Sequence, residues 1–260
     1  MNDKVSDFLL NGYLITESVP LSYLMELKET LINLVKRSYS KNIGTIRIGD
    51  YEENNLINQL FIELENKNHS YITKIYDSIR LTTSYFNVVN SKEHIDYCKK
   101  LLQVEKDADL FINSMSIRMD PPSSKTFSYG WHTDADVNIK KSDFVQSWIP
   151  LGNINKELGG LEIIEKSHIK EFKTEYTDRI REAVNKGNRL KDPIVYRTPH
   201  DTKIITPEYV QKILTPIFGQ TIFFSNKLMH RSGINKSKDK VRLAVTAFYH
   251  RSDKSESDWY

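Results

Sequence analysis

The chain has 260 residues, of which 39% are hydrophobic and 27% are charged, with 37 Lys and Arg against 34 Asp and Glu. These proportions are typical of a globular protein with its own core, and a formal net charge of +3 gives no support for nucleic acid or an anionic membrane as a partner. A single cysteine, Cys98, excludes an intramolecular disulfide. With no signal-peptide pattern and no long apolar run, the sequence predicts a cytoplasmic protein without a membrane segment.

The first part of the chain has mainly helical patterns. Residues 8–15 read as a short strand with a turn in it. Apolar residues then recur at the spacing of one buried helix face, or follow a mostly helical pattern, in four ranges: 21–34, 54–67, 70–88 and 91–103.

From residue 111 the pattern changes to a period of two. In this stretch one face carries Phe111, Met115, Ile117 and Met119, and the other carries Ser114, Ser116 and Arg118. Further strands are predicted over four ranges: 144–151, 160–165, 220–225 and 241–249. Helices followed by many short strands predict helices packed on a β-sandwich or barrel.

The stretch 166–218 is polar and irregular, with short helices predicted near 175–186 and 207–214. We read it as a long excursion between strands, and such excursions are often lids. With no repeat or linker in the sequence, we predict one domain over residues 1–260. Its mainly helical part, 1–110, supports a strand-rich core at 111–250 into which the excursion is inserted.

A metal-binding pattern begins at Trp131-His132-Thr133-Asp134. On an extended chain, residues i and i+2 point the same way, so His132 and Asp134 can reach one metal. Such a short pair is weak by itself. The apolar strand 220–225 then leads into His230, and the strand 241–249 follows. We read these two strands as antiparallel neighbours that bring a second histidine to the site.

The second of these strands carries a cationic side chain. Arg242 shares a face with Ala244 and Thr246, while Val241 and Leu243 face the other way. An arginine among small neighbours has room to pair with a ligand carboxylate in bidentate fashion. An ordinary surface arginine on an edge strand is an equally open interpretation.

Two histidines and one carboxylate on one side of a metal leave three coordination positions open. That arrangement suits Fe(II), because a bidentate co-substrate and O₂ must both bind the ion. A structural zinc site would be closed and usually richer in cysteine.

Several stretches, in this order, resemble the phytanoyl-CoA dioxygenase-like family of Fe(II)/2-oxoglutarate oxygenases over nearly the whole chain. They are Trp131-His132-Thr133-Asp134, Ser147-Trp148-Ile149-Pro150-Leu151, the stretch Gly159-Gly160-Leu161-Glu162 through His168, and the stretch Gly219-Gln220 through His230-Arg231-Ser232-Gly233 to Arg242.

The resemblance implies an α+β fold with a double-stranded β-helix (jelly-roll, cupin-like) core and an N-terminal helical layer packed on one sheet. It implies that His132, Asp134 and His230 hold catalytic Fe(II), with 2-oxoglutarate and O₂ as co-substrates. Arg242 would bind the distal carboxylate of 2-oxoglutarate, helped by Ser232. Trp148 matches a position that lines the co-substrate pocket, and Gln146 shares its strand face.

Asp134 also bears on the reaction, because related halogenases have a small residue at this position. Its presence favours a dioxygenase that hydroxylates its substrate. Ser116, Arg118 and Lys125 are candidate substrate contacts, as are Arg197 and His200 in the excursion. Cationic and hydroxyl groups favour a small polar metabolite, although solvated surface residues are an equally open interpretation.

Three rival functions stay open on the sequence alone. They are an oxygenase of the same fold that acts on a protein side chain, a cupin-like metalloenzyme that does not use 2-oxoglutarate, and a non-catalytic jelly-roll binding protein. The sequence does not indicate an oligomeric state.

Overall fold

The computed structural model describes residues 2–46, 55–123, 130–134, 143–169 and 211–253. In the described part, helices and one strand precede residue 110: α1 (Asn2–Asn11), β1 (Tyr13–Glu17), α2 (Leu21–Asn42), α3 (Leu56–Lys67), α4 (His69–Ile79), α5 (Thr83–Val89) and α6 (Lys92–Leu101). The remaining elements are β2 (Leu110–Asp120), β3 (Phe144–Pro150), β4 (Leu161–Ile164), a 3₁₀ turn (Ser167–Ile169), β5 (Gln211–Leu214), β6 (Gln220–Ser225), β7 (His230–Ser232) and β8 (Arg242–Arg251).

The four helical ranges predicted between residues 21 and 103 are confirmed, with one refinement. Helix α2 buries Leu24, Leu27 and Leu31 on one face, which is the spacing that predicted it. The range 70–88 contains two helices, because α4 ends at Ile79 and a second helix, α5, begins at Thr83 with Thr82 as its N-cap. The Thr82 side chain accepts a hydrogen bond of 3.3 Å from the backbone N–H of Tyr85, which caps the new helix.

The prediction of a strand over residues 8–15 is wrong for its first half. Residues up to Asn11 belong to α1, and the next residue, Gly12, has a φ of 81°. Glycine adopts this left-handed conformation without a Cβ penalty, so it ends the helix and lets strand β1 begin at Tyr13. The Asn-Gly pair therefore marks the end of a helix and not a turn inside a strand.

The described strands form two antiparallel sheets. One has five strands in the order β1-β6-β3-β8-β2, and the other has three in the order β5-β4-β7. The prediction that the strands 220–225 and 241–249 are neighbours is wrong, because β3 lies between them and pairs with both. His230 lies in the three-stranded sheet, so the chain changes sheet between β6 and β7.

The two faces of the five-stranded sheet bury different sets of residues. On one face, Ile117, Val145 and Val245 pack with the leucines and isoleucines of the helices in the largest apolar cluster. On the other face, Trp148 and Ala244 pack with Leu161 and Ile163 of the three-stranded sheet. Alternate residues along β3 and β8 thus divide between a helical layer and a space between the two sheets.

Two further local predictions need correction. The pairing of β2 with β8 shifts its register between Asn113 and Ser116. This bulge changes which side chains share a face, so Leu110 and Ile112 pack on the helical side with Met115, and Phe111 does not.

The range 207–214 was predicted as a helix, but its described end is strand β5, which pairs with β4. Pairing with a neighbouring strand here outweighs local helical preference. The helix predicted at 175–186 lies outside the described residues. Among the helices that are described, none is long and apolar enough to cross a membrane.

Candidate metal centre and its cavity

Backbone pairing brings the three predicted metal ligands together. His132 forms an isolated antiparallel bridge with His230, with hydrogen bonds of 3.0 Å and 2.9 Å in the two directions. The backbone N–H of Asp134 donates to the carbonyl oxygen of Asn226 at 2.8 Å. The segment with His132 and Asp134 is therefore held alongside the turn that leads from β6 into β7.

The side chains of these residues converge on one point. Nε2 of His230 lies 3.5 Å from Oδ2 of Asp134, and Nε2 of His132 lies 4.0 Å from Oδ1. One potential ligand atom from each residue lies within 4.8 Å of the others, and all three residues are buried. Among the described residues, this is the one group of histidine, cysteine and carboxylate side chains with metal-binding geometry.

The second nitrogen of each imidazole fixes the direction of the first. Nδ1 of His132 lies 2.6 Å from the carbonyl oxygen of Gly130, and Nδ1 of His230 lies 2.9 Å from that of Leu228. A carbonyl oxygen only accepts, so each Nδ1 carries a proton, and each Nε2 is the nitrogen that points to the candidate metal position. Metal-binding histidines are oriented in this way, and the donor set therefore fits a divalent transition metal.

A cavity of about 540 Å³ opens on this site. Besides the three ligand candidates, its wall includes five of the residues that the sequence singled out: Ser116, Arg118, Gln146, Trp148 and Ser232. Lys125, Arg197 and His200 lie outside the described residues. The volume falls within the range of about 300–1,000 Å³ that is typical of small-molecule sites.

Polar groups lie in the wall on the β2 and β3 side. The hydroxyl oxygens of Ser116 and Thr246 are 2.6 Å apart and join β2 to β8. Gln146 is 9% exposed, and within the described part of the chain its Oε1 atom has no hydrogen-bond partner. A buried amide oxygen without a partner is costly, so a ligand with a donor group would be favoured here. Thr246 was not singled out from the sequence, although it shares a face with Arg242.

Arg242 differs from its expected placement, because it does not line this cavity. Its Nε and Nη2 atoms donate to Oδ2 of Asp120 at 3.1 Å and 2.8 Å, and Nη1 donates to the carbonyl oxygens of Gly159 and Gly233. Burial lowers the pKa of Arg242, and the charge of Asp120 opposes that shift. In this structure its guanidinium is turned towards protein acceptors.

Arg118 contacts the same carboxylate from the cavity side. Its Nε atom donates to Oδ2 of Asp120 at 3.3 Å, and its Nη2 atom donates to Oδ1 at 3.1 Å. Asp120 therefore lies between the guanidinium groups of Arg242 and Arg118. Arg118 lies in the cavity wall, and Arg242 does not. No local pattern in the sequence indicates the role of Asp120, because it is the last residue of β2 and opposes Arg242 only through the strand pairing.

The outer part of the cavity is formed by a helix that the sequence did not connect with the site. His69, Thr73 and Tyr76 recur at helical spacing along α4, Arg80 follows at its C-terminal end, and all four line the cavity. Nδ1 of His69 lies 2.8 Å from Oε1 of Glu65, and an ion pair of 3.2 Å joins Arg80 to Asp77. From sequence alone, this face of α4 is indistinguishable from an ordinary solvated face.

Comparisons with known proteins identify a sequence family that this chain matches and solved structures with a similar fold. The sequence profile of the phytanoyl-CoA dioxygenase family matches residues 10–244. A search of curated proteins finds no significant match.

Solved structures with a similar fold include EvdO2 from Micromonospora carbonacea var. aurantiaca in complex with 2-oxoglutarate, with a TM-score of 0.54, 12% identity, and coverage of 100% of this chain and 94% of that one. The epimerase SnoN in complex with Fe³⁺, alpha ketoglutarate and nogalamycin RO has a TM-score of 0.53 and 14% identity, with coverage of 96% and 82%. The non-heme alpha ketoglutarate dependent carbocyclase SnoK from nogalamycin biosynthesis has a TM-score of 0.51 and 15% identity, with coverage of 96% and 83%.

At these sequence identities the structural matches are evidence of the fold alone. The family profile spans most of the sequence, and its range includes His132, Asp134, His230 and Arg242. The chain belongs to the phytanoyl-CoA dioxygenase family.

Proposed function

We propose that the protein is a non-haem Fe(II)- and 2-oxoglutarate-dependent oxygenase with His132, Asp134 and His230 as its iron ligands. The observation that carries this proposal is the convergence of two Nε2 atoms on one carboxylate, with both Nδ1 atoms bound to carbonyl oxygens. Two neutral imidazoles and one carboxylate leave positions on the metal for a bidentate oxo acid and for O₂.

Two features support iron and 2-oxoglutarate over a metal with no co-substrate. The family profile is that of a dioxygenase. Among proteins of similar fold, SnoN is described in complex with Fe³⁺ and alpha ketoglutarate, and EvdO2 with 2-oxoglutarate. These facts favour the oxygenase over the cupin-like enzyme without an oxo acid and over a binding protein without catalysis.

The bound iron, 2-oxoglutarate and O₂ would together supply the oxidising chemistry, with succinate and CO₂ as by-products. The residues of the chain orient and shield that chemistry. The Gly130 and Leu228 carbonyls hold the imidazoles of His132 and His230 in place. The apolar side chains of Trp148 and Phe224 form part of the cavity wall and exclude water from the metal centre.

The substrate we propose is a small polar molecule that enters along α4. The cavity is lined by the ligand triad, by residues of β2, and by Tyr76 and Arg80 at the end of α4, so a substrate that fills it would contact all three. A small molecule suits a cavity of this volume better than a protein side chain on its backbone, which stays the alternative.

Hydroxylation is the reaction that we propose for this substrate, because Asp134 occupies the third ligand position. Among proteins of similar fold, one is described as an epimerase and one as a carbocyclase, so epimerisation and carbocyclisation are the alternative reactions. We also propose that the two antiparallel sheets form one jelly-roll core within a single domain, since chain segments alternate between the sheets and enclose the site.

The test is an anaerobic titration of the metal-free protein with Fe(II) and then with 2-oxoglutarate. A chelated oxo acid on such an iron gives a visible charge-transfer band, and we expect this band in the wild type. We expect no band in His132→Ala. A protein that binds Fe(II) but gives no band with 2-oxoglutarate would exclude this function and favour the enzyme without an oxo acid.

A further inference from the structure

We propose that the side-chain amide of Gln146 binds an uncharged hydroxyl or amide group of the primary substrate, and that an apolar ring of the substrate carries this group. The inference rests on the proposed function and names the substrate class of the same site. The observation behind it is a buried amide in the cavity wall whose Oε1 atom has no hydrogen-bond partner in the described part of the chain.

The first step concerns the position of Gln146, which is the middle one of three side chains across the five-stranded sheet. In β3 it lies opposite Phe224 of β6 on one side and opposite Phe248 of β8 on the other. All three residues line the cavity. The ring centroids of Phe224 and His230 are 4.8 Å apart, so this row of side chains lies beside a proposed iron ligand.

The second step concerns the neighbours of the amide. Phe224 and Phe248 have no conventional hydrogen-bonding side-chain group, and the hydroxyl of Thr246, in the next row, already lies 2.6 Å from that of Ser116. Gln146 is only 9% exposed, so little of its side chain is solvated. A buried amide without a partner is costly, and the cavity is the side from which a ligand can supply one.

The third step concerns which ligand can satisfy this amide. Its oxygen accepts and its nitrogen donates, and the last torsion of a glutamine side chain is broad, so either atom can turn towards the cavity. 2-Oxoglutarate has only acceptor oxygens at neutral pH, so it would leave Oε1 without a partner. An ammonium group only donates. A hydroxyl or an amide pairs with both atoms of the Gln146 side chain, and this favours an uncharged group on the primary substrate.

The fourth step concerns what carries that group. The amide is flanked by the aromatic rings of Phe224 and Phe248, and Trp148 lies two residues along the same face of β3. The ring of Phe248 is itself stacked on that of Phe144, with centroids 5.0 Å apart. Aromatic walls around one polar group favour an apolar ring that is oriented by a single hydrogen bond.

The test uses three probes that share one fluorinated ring and differ in one group. 4-Fluorobenzyl alcohol donates and accepts, its methyl ether only accepts, and 4-fluorobenzylamine is a charged donor at neutral pH. Their affinities for the protein loaded with Fe(II) and 2-oxoglutarate are measured without O₂ by fluorine NMR. A broader probe signal with Fe(II) than with Zn(II) shows that the probe binds near the metal.

In the wild type we expect the alcohol to bind about 5- to 10-fold more tightly than the ether, which is the effect of one neutral hydrogen bond. The amine should bind more weakly than the alcohol. This comparison needs no variant. An ether or an amine that binds as tightly as the alcohol would overturn the proposed substrate class.

Gln146→Met keeps the length of the side chain and removes its amide. We expect the alcohol to bind about 5- to 10-fold more weakly in this variant and the ether to change by less than about twofold. Gln59→Met is the matched control, because Oε1 of Gln59 is also buried without a partner, but Gln59 does not line the cavity. The control should keep the preference for the alcohol.

Two further measurements separate substrate binding from other roles of Gln146. The urea midpoint of metal-free Gln146→Met should stay the same or rise, because the amide oxygen has no partner to lose in the described part of the folded chain. A lower midpoint would show that the amide serves the fold. The affinity for 2-oxoglutarate, from the charge-transfer band, should be unchanged, and a loss of this affinity alone would assign Gln146 to the co-substrate.

The outcomes also distinguish this inference from the proposed function. A wild-type protein that gives no charge-transfer band with Fe(II) and 2-oxoglutarate would refute the proposed function itself. A normal band together with a preference for the alcohol that persists in Gln146→Met would leave the proposed function in place. It would show that another group, such as the metal, binds the hydroxyl, and it would overturn the role of Gln146.

Discussion

The two sides of the five-stranded sheet each hold buried histidines, but in different settings. On the helical side, His94 is fully buried, its Nδ1 atom lies 2.8 Å from the hydroxyl of Ser18, and its ring packs at 4.9 Å on Phe223. On the cavity side, His132 and His230 are almost as deeply buried, but their Nε2 atoms face Asp134.

The difference shows that burial alone does not make a histidine a candidate metal ligand. Desolvation lowers the pKa of His94 to about 3, so this side chain is neutral and acts as part of the core. His132 and His230 have a carbonyl on one nitrogen and a shared carboxylate near the other, which is the arrangement of a metal site.

The largest expected effect separates these two settings. His132→Ala should lower the affinity for Fe(II) by more than about 100-fold, because it removes one of the three proposed ligands, and loss of even an outer partner typically costs 10- to 100-fold. His94→Ala should keep the metal and instead lower the free energy of unfolding. Metal content and urea unfolding measure the two effects. If His94→Ala lost the metal and His132→Ala kept it, the comparison would be reversed.

The sequence predicted the residues of the candidate metal centre, and it predicted fewer of the features around them. The i, i+2 spacing of His132 and Asp134 and the strand before His230 are local patterns, and the structure brings them together. The face of Arg242 was also predicted, since Ala244 packs between the sheets while Val245 packs on the helical side.

The unpredicted features depend on contacts between distant segments. The register that sets Asp120 opposite Arg242, the bulge after Asn113 and the insertion of β3 between β6 and β8 follow from strand pairing, for which a single sequence has no local signal. The contribution of α4 to the cavity was missed for the same reason. Its polar face has helical spacing whether it meets solvent or a ligand.

The next effect concerns stability on the cavity side. Asp120→Asn keeps the shape of the side chain but leaves the buried guanidinium of Arg242 and that of Arg118 without their shared charge partner. We expect the free energy of unfolding to fall by about 3–5 kcal/mol, as when one partner of a buried ion pair is removed.

Asp77→Asn is the control, because the Asp77–Arg80 pair is exposed, and such pairs contribute about 0–1 kcal/mol. Urea unfolding with Fe(II) absent measures both variants. Equal stabilities for the two would show that the Asp120 cluster does not stabilise the fold.

A smaller effect is expected from pH, through two buried histidines outside the candidate metal centre. The pKa of His94 falls from its ordinary 6.5 to about 3, and that of His250 falls to about 4, both through burial. The unfolded chain therefore binds more protons than the folded chain between these values. The free energy of unfolding should decrease as the pH falls from about 6.5 towards 4.

His94→Gln should flatten this decrease, because it removes a group that gains a proton in the unfolded chain and not in the folded chain over this range. Chemical unfolding of the metal-free protein at several pH values gives the slope directly. A slope that is the same in His94→Gln and in the wild type would mean that this histidine does not contribute to it.

The smallest effect tests whether the two sides of the sheet are coupled. Tyr85 in α5 is fully buried, burial raises the pKa of its hydroxyl, and that hydroxyl donates to the backbone carbonyls of Ser116 and Thr246 at 3.0 Å and 3.2 Å. Tyr85→Phe keeps the ring and removes this donor, so we expect a loss of about 1 kcal/mol in the free energy of unfolding.

Ser116 and Thr246 also line the cavity, so the affinities for Fe(II) and 2-oxoglutarate give a second measurement on Tyr85→Phe. Unchanged affinities would show that the strand pairing of β2 with β8 is enough to hold the cavity wall. A loss of affinity for 2-oxoglutarate larger than the loss of stability would show that the helical layer positions the hydroxyls of the site. The helices would then belong to the co-substrate site as well as to the support of the sheet.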